Sequence, residues 1–468
     1  MSAGKVLVVG AGMGGLTAAL RLRQLGHEVC VLEARATPGG LASSFSVEGL
    51  TFDGGPYVLL DRPGLAWALA RVGIDLDDRL PLVHLDEVYQ VAFPDGTTLA
   101  FHHDLDRTAS AFEHKWPGAG ARYVRYVRES QRIYAGLQPL LTRDHGLRAI
   151  LSTGAWRHAP FLLRSLGAVL ASAGLPQPLV DSLAIWTHVA GQELAAAPSP
   201  LGFVPALIHS VGAYVPKDGV GAIPRLVAAA ATAAGVELRC QARVRRITEA
   251  HGRATGLELD DGAVLTASAV LSNYNGVGTH VELVKSTPAA ARERLTALPL
   301  QSPGACAYLA VRGTPRPPYL RFYLPDGERC RLFVQPGVVL PDCAAGGEYP
   351  ARLIAPMDHA RARADGSDGQ QRYLERLVEE PWWRTGLDGV RVVASRTPRL
   401  WGEQYHLYKD SMNPVMTARL MRAGRLPQKS PHLSRLYLAG SSTHPGQWVS
   451  FCAISGVLAA ERLHRELA

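Results

Sequence analysis

Residues Val6 to Leu20 read VLVVGAGMGGLTAAL. A short apolar run ends in a cluster of glycines and passes without interruption into an Ala/Leu-rich segment. That order predicts a strand, a glycine turn and a helix start, with the GxGxxG spacing that cradles a dinucleotide pyrophosphate. Gly10 makes the tight turn, Gly12 lets the backbone approach the phosphates, and Gly15 lets the helix pack close to the strand; Gly14 lies in the same cradle. The unpaired N–H groups at the start of that helix, and the positive end of its dipole, then face the anion. A second apolar run, HEVCVLEA, ends at Glu33-Ala34, eighteen residues beyond Gly15. A carboxylate at the tip of that second strand can accept hydrogen bonds from ribose hydroxyls.

The stretch that follows, EARATPGGLASSFSVEGLTFDGG, carries a second glycine pair, Gly39-Gly40, and then Phe52-Asp53-Gly54-Gly55. It resembles the FAD-binding start of the amine oxidase and phytoene desaturase superfamily, in which "LEA…GG" continues the first nucleotide motif. A nicotinamide-dependent dehydrogenase has no need of that second pair. In the family pattern an arginine usually follows it; here the residue is Leu41.

The length of 468 residues predicts two intertwined domains. With 47% apolar and 19% charged residues the chain is expected to fold rather than remain disordered. A net charge of +8 is modest for this length, and the arginines are scattered, the densest group being RVRR at 243–246. This argues against a nucleic-acid partner and leaves two readings, a solvated basic surface or a basic face toward anionic lipid. Six cysteines without a CxxC pair or metal spacing predict free thiols in a reducing compartment and no metal. The first strand begins within a few residues of Met1, so no signal peptide is expected. No apolar run reaches the roughly 20 residues of a spanning helix; HAPFLLRSLGAVLASAGL is interrupted by Arg164. The expected location is the cytoplasm, with any membrane contact made from one side, at the inner face of the cell membrane.

The pattern changes along the chain predict a discontinuous organisation. Segments 1–95, 206–275 and 401–468 are expected to form the nucleotide domain; 96–205, a helical lobe, and 276–400 are expected to form a substrate domain. The hairpin VYQVAFPDGTTLAFH, turning at Asp95-Gly96, straddles the first boundary.

The last block, LYLAGSSTHPGQWVSFCAISGVLAAERL from Leu436 to Leu463, resembles the LYLxGxxTHPGxG…SGxxAA signature of carotenoid desaturases. GAYVPKDGVGAIPRL, Gly212 to Leu226, resembles the "G…P.GG…L" stretch of the same proteins. The chain thus resembles bacterial phytoene desaturase-like, FAD-dependent carotenoid oxidoreductases. The resemblance implies an α/β fold: a Rossmann-like, GR2-type FAD domain with a mixed α+β substrate domain. It implies FAD contacts at Gly10, Gly12, Gly14, Gly15, Glu33, Ala34, Gly39, Gly40 and Leu41. It also implies them at Val244, through the main chain to the adenine, and at Gly440, Ser441, Gly446 and Val449 around the flavin ring. Where the family has small residues after the THPG turn, this chain has Trp448 and Phe451. These two, with Tyr405 of WGEQYHLYKD, are the expected substrate contacts.

Desaturation needs a hydride acceptor and the loss of a proton. The family places an acid and an arginine in an early helix of the substrate domain. Arg157 occupies the arginine position, and Gly154 stands where the acid would be. His444 in the turn and His188 in WTHVAG are further candidates, histidine being the side chain suited to proton transfer near neutrality. The implied function is FAD-dependent dehydrogenation of a long apolar polyene or isoprenoid, with a quinone or O2 as electron acceptor. Three alternatives remain: redox-neutral isomerisation or cyclisation of a polyene, amine oxidation, and a non-enzymatic prenyl-lipid-binding protein of the same fold.

Overall fold

The computed structural model describes residues 4–143 and 146–467. Five parallel strands form the nucleotide sheet, in the order Leu436–Leu438, Ala269–Ser272, Lys5–Val9, Glu28–Leu32, Glu237–Arg239. Val6, Leu7 and Val8 of the central strand are fully buried. Apolar side chains on both faces are what a parallel sheet covered on both sides requires. On one side lie helices Met13–Gln24 and Val449–Leu467, packed on each other, with helix Ala222–Ala233 beside the first. On the other side lies a three-stranded antiparallel meander, Val244–Ala250, Arg253–Leu259 and Val264–Thr266.

Helices Met13–Gln24 and Val449–Leu467 touch because both carry small residues at their contact. A methyl carbon at Gly456 would lie 2.2 Å from the Gly14 carbonyl oxygen and from Thr17 Oγ1. The Thr17 hydroxyl also donates to Ala453 O at 3.1 Å. The first and last segments of the chain are therefore joined by backbone-to-backbone packing that only glycine and alanine permit.

A seven-stranded sheet forms the second layer, in the order Gly389–Arg396, Ala305–Arg312, Tyr349–Ala355, Arg331–Val334, Leu320–Tyr323, Glu87–Ala92, Thr98–His102. Its period-two alternation is plain in Ala305–Arg312. Ala305, Ala307, Leu309 and Val311 face helix His359–Glu379 through Ala362, Leu374 and Leu377. Cys306, Tyr308 and Ala310 face the other way, onto Phe52 and Phe45 of the small hairpin Ser44–Val47/Leu50–Asp53. The helical lobe, chiefly Ala119–Leu141, Gln177–Val189 and Phe203–Ser210, covers Tyr89, Phe101 and Phe322.

One expectation is corrected here. The hairpin around Asp95-Gly96 does not begin within the first nucleotide segment; both its strands belong to the seven-stranded sheet. Glu87–Ala92 pairs in parallel with Leu320–Tyr323. Alternating apolar residues mark a strand but not its partner; here the partner is supplied from more than two hundred residues away.

Candidate functional site

In the parallel sheet the chain runs from the central strand to one side, through Glu28–Leu32, and returns on the other, through Ala269–Ser272. The loops leaving Lys5–Val9 and Ala269–Ser272 therefore diverge, and the crevice between them is where an open parallel sheet binds its ligand. Three glycine loops meet there. Gly10, at φ +88°, donates its N–H to Leu32 O at 2.7 Å. Gly39 donates to Ala11 O at 2.8 Å, and a methyl carbon at Gly40 would lie 3.2 Å from Gly12 Cα. A methyl carbon at Gly14 would lie 2.8 Å from the backbone nitrogen of Gly440, and one at Gly15 only 2.1 Å from Gly10 O. Side chains at these points would fill the cradle or part its walls.

The Glu33 carboxylate is buried and anchored in the loop. Its Oε2 accepts the Ala11 N–H at 2.7 Å and its Oε1 the Arg35 N–H at 2.9 Å. Each carboxylate oxygen retains a free lone pair. The main chain around Glu33 and Arg35 bonds to that of Arg239, Gln241 and Ala242, so Val244, 9% exposed, begins its strand close to the acid. Ala34 and Leu41 lie in the same two loops, both half-buried.

The third loop, Gly440 to Trp448, is held by Ser455 from within the motif and by two asparagines from outside it. Asn413 Oδ1 accepts from Ser441 Oγ at 2.7 Å and from Ser442 Oγ at 3.3 Å. Ser455 Oγ accepts the Gly440 N–H at 3.1 Å and lies 2.6 Å from Thr443 Oγ1. Asn273, directly after strand Ala269–Ser272, stands between the loops: methyl carbons at Gly12, Gly14 and Gly440 would all come within 2.7 Å of its side-chain amide. Sequence reasoning misses Asn273 and Asn413, and it quotes Ser455 within the SGxxAA block without assigning it a role. A polar residue directly after a buried strand is the available signal for Asn273; Asn413 carries none.

After the turn, Trp448 and Phe451 stack with ring centroids 5.0 Å apart and planes 13° from parallel. Trp448 packs toward the core under the helical lobe, Phe451 and Val449 toward the nucleotide core, so the pair spans the junction. Nearby, the carboxyl of Asp61 is almost fully buried. One oxygen caps helix Arg62–Arg71 by accepting the Gly64 N–H at 3.1 Å, and the Ser450 and Tyr134 hydroxyls stand near the carboxyl. Burial raises its pKa, opposed by Ser450, Gly64 and Tyr134.

The remaining expected residues go elsewhere. Arg157 is exposed, its guanidinium 5.3 Å from the ring of Trp156, and does not join the turn. Its short 3-10 helix, Ala155–His158, buries Ala155 and leaves Trp156 and Arg157 exposed. His188 accepts the Cys330 N–H on Nδ1 at 3.0 Å. Burial, with Arg329 adding to it, brings its pKa down to about 4, so it is a neutral ring pinning helix Gln177–Val189 to the sheet. His444 does lie in the turn, and its Nε2 bonds Leu140 O at 2.9 Å, tying the turn to the end of helix Ala119–Leu141. Tyr405 is 8% exposed and enclosed by cations: Arg35 lies 4.0 Å and Arg396 5.5 Å from its ring. It faces the Gly39–Ser43 loop rather than the aromatic pair, because Arg35 also donates to Gly40 O and Ser43 Oγ. Its buried hydroxyl has no hydrogen-bond partner and sits where a methyl carbon on Gly54 would be 3.0 Å away.

These residues fit FAD. Backbone N–H groups at a helix start suit a pyrophosphate, the anchored Glu33 a ribose, and the orphaned Tyr405 hydroxyl an acceptor-rich ligand.

The model of the flavin containing amine oxidoreductase family matches residues 13–318. The chain is 27% identical to a zeta-carotene-forming phytoene desaturase of Myxococcus xanthus, over 98% of this chain and 93% of that one. It is 29% identical to a hydroxyneurosporene desaturase of Cereibacter sphaeroides, over 99% and 98%. Among solved structures, an oxidoreductase from Methanosarcina mazei superposes with a TM-score of 0.67 at 18% identity, over 98% of this chain and all of that one.

Proposed function

The chain belongs to the flavin containing amine oxidoreductase family, and from that premise we propose how its site works as a carotenoid desaturase. It is an FAD-dependent oxidoreductase that removes hydrogen across a CH–CH bond of a carotenoid-like polyene. The observation that carries this reading is the end-to-end similarity to carotenoid desaturases, together with a glycine cradle closed by the chain's two ends.

When bound, FAD supplies the hydride acceptor; the chain supplies the geometry. The loops at Gly10–Gly15 and Gly39–Gly40 hold the pyrophosphate, Glu33 the ribose, and Val244 the adenine edge. Asn413, Ser455 and Asn273 keep the Gly440–Trp448 turn in one shape, so that the start of helix Val449–Leu467 presents its N–H groups to the electron-rich edge of the ring. Trp448 and Phe451 offer a flat apolar surface to a conjugated chain, and their bulk limits how far it advances. The electron acceptor is a quinone or O2.

Such a substrate resides in lipid. Among the described residues no helix is long and apolar enough to cross a membrane, so the polyene is taken from one side. On the outside of the lobe Leu151, Trp156 and Leu163 are exposed at 59%, 54% and 60%, with the exposed Arg148, Arg157 and Arg164 interleaved. Apolar side chains among cations match an anionic lipid surface. This gives Arg157 a role outside the chemistry.

The test is anaerobic incubation of the flavin-loaded protein with a carotenoid polyene. Desaturation bleaches the visible flavin absorbance in proportion to double bonds formed. Turnover with an unbleached flavin would instead select the redox-neutral alternative.

A further inference from the structure

Arg425 lies just before the last strand of the nucleotide sheet, in the segment that follows helix Ala418–Ala423. Its guanidinium reaches the turn. A methyl carbon on Gly446 would lie 3.1 Å from Arg425 Nη2 and 3.1 Å from Phe451 Cδ2, so cation and ring edge meet at the same point. The three most buried arginines all have partners. Arg352 donates to the carbonyls of Gly54 and Gly55, Arg396 to Tyr308 and Gln404, and Arg331 to Glu328 and Glu380. Among the described residues no carboxylate, carbonyl or hydroxyl bonds Arg425. Burial pushes its pKa down to about 10, with the Cys452 thiol beside it opposing the fall. Arg425 is half-buried, and a partly enclosed cation without a partner is stabilised when an anion arrives. The pyrophosphate cradle at Gly10–Gly15 and Gly39–Gly40 is a separate anion site, formed by other loops.

We propose that Arg425 reads an oxygen-bearing end group, a carboxylate, on the polyene, making the Gly446 turn the subsite for one terminus of the substrate. The inference rests on the desaturase reading and narrows its substrate class. The aromatic pair Trp448–Phe451 holds the conjugated chain; the guanidinium beside it, a planar fork of donors, takes the carboxylate on two nitrogens. A plain hydrocarbon terminus leaves the cation unpaired and binds less tightly.

The test uses the FAD-loaded full chain titrated with retinoic acid and retinol, which share one polyene and differ only at the terminus, followed by quenching of tryptophan fluorescence. The acid is expected to bind at least tenfold more tightly than the alcohol. Arg425→Met should bring the two within twofold of each other, and Arg425→Lys should retain part of the preference. A wild-type ratio near one overturns the proposal, and that measurement needs no variant to fold. So does an unchanged preference in Arg425→Met, or a variant whose visible flavin spectrum shifts while the preference stays, which would give Arg425 to the cofactor instead. Failure of both ligands and of lycopene to bind would count against the desaturase reading itself; lycopene binding with no acid preference sinks only the end-group assignment.

Discussion

Alanine at Gly12 and at Gly15 should have separable consequences, though both belong to one motif. At Gly15 the added carbon would lie 2.1 Å from Gly10 O and 3.1 Å from Asn273 Cβ. The first contact is backbone at the tight turn and cannot rotate away, so helix Met13–Gln24 must shift from the strand. That helix also packs on Val449–Leu467, and the shift propagates to the second helix. Overpacking of this kind costs about 1–3 kcal/mol. At Gly12 the added carbon meets only Asn273 Nδ2, at 2.7 Å, with Asn273 Cγ at 3.8 Å. A side-chain amide can turn aside, so the protein alone should tolerate Gly12→Ala within about 0.5 kcal/mol. The obstruction at Gly12 is felt by the pyrophosphate. Urea unfolding of the flavin-free proteins should place Gly15→Ala clearly below wild type and Gly12→Ala close to it. FAD titration by fluorescence quenching should show both losing affinity, Gly12→Ala by at least tenfold. Equal unfolding midpoints for Gly15→Ala and wild type, or full FAD affinity in Gly12→Ala, would refute the assignment of these glycines.

The neutral state of His188 makes stability acid-sensitive. Its folded pKa of about 4 lies below the usual 6.5, so the unfolded chain takes up the proton first and stability falls as pH drops from 6.5 toward 4, by roughly 3 kcal/mol in total. His188→Gln keeps an acceptor for the Cys330 N–H, and its unfolding midpoint should vary less over that range; parallel profiles would contradict this. Asp61 runs the opposite way: burial raises its folded pKa, so its ionisation erodes stability as pH rises above the unfolded value. Asp61→Asn preserves the cap on Gly64 and should be the more stable protein at pH 7 by thermal unfolding, with a lower melting temperature counting against it. Asn413→Ala removes the acceptor shared by Ser441 and Ser442. It should weaken FAD binding by about 1–2 kcal/mol while leaving the far-ultraviolet circular dichroism unchanged; wild-type affinity would show that the turn holds itself. Trp156→Ala with Leu163→Ala should reduce sedimentation with anionic vesicles without altering FAD content, and undiminished sedimentation would remove that face from the membrane.

How much of the molecule is legible in its residues follows the range of the interactions. The strand–glycine–helix unit at Val6–Leu20 is local. Its periodicity and its glycines are needed by the same few residues, so the cradle and Glu33 can be read from the order of amino acids alone. The Gly440 turn is equally local. The contacts that tie these pieces together are not: Asn273 reaches Gly12 and Gly440, Asn413 reaches Ser441, and Arg425 reaches Gly446, each brought there by sheet order or a returning loop. The hairpin at Glu87–His102 shows the same limit, its strands evident and its partner strand hidden. Arg157 fits a pattern within a helix, and nothing in that pattern records which side of the lobe faces water. His188 is buried to hold a helix on the sheet, and Tyr405 stands by the second glycine loop with its hydroxyl unpaired; a single residue letter does not distinguish these places from catalysis or substrate contact.

The two ends of this chain would hold one flavin, which would supply the hydride acceptor for a polyene. Anaerobic mixing of the purified, FAD-loaded protein with a carotenoid polyene in vesicles tests it most directly, with flavin absorbance and the polyene's spectrum followed together. Flavin bleaching and the lengthening of the conjugated chain should advance in equal molar amounts. A chain that lengthens while the flavin stays oxidised, or a protein that retains no flavin, would contradict this.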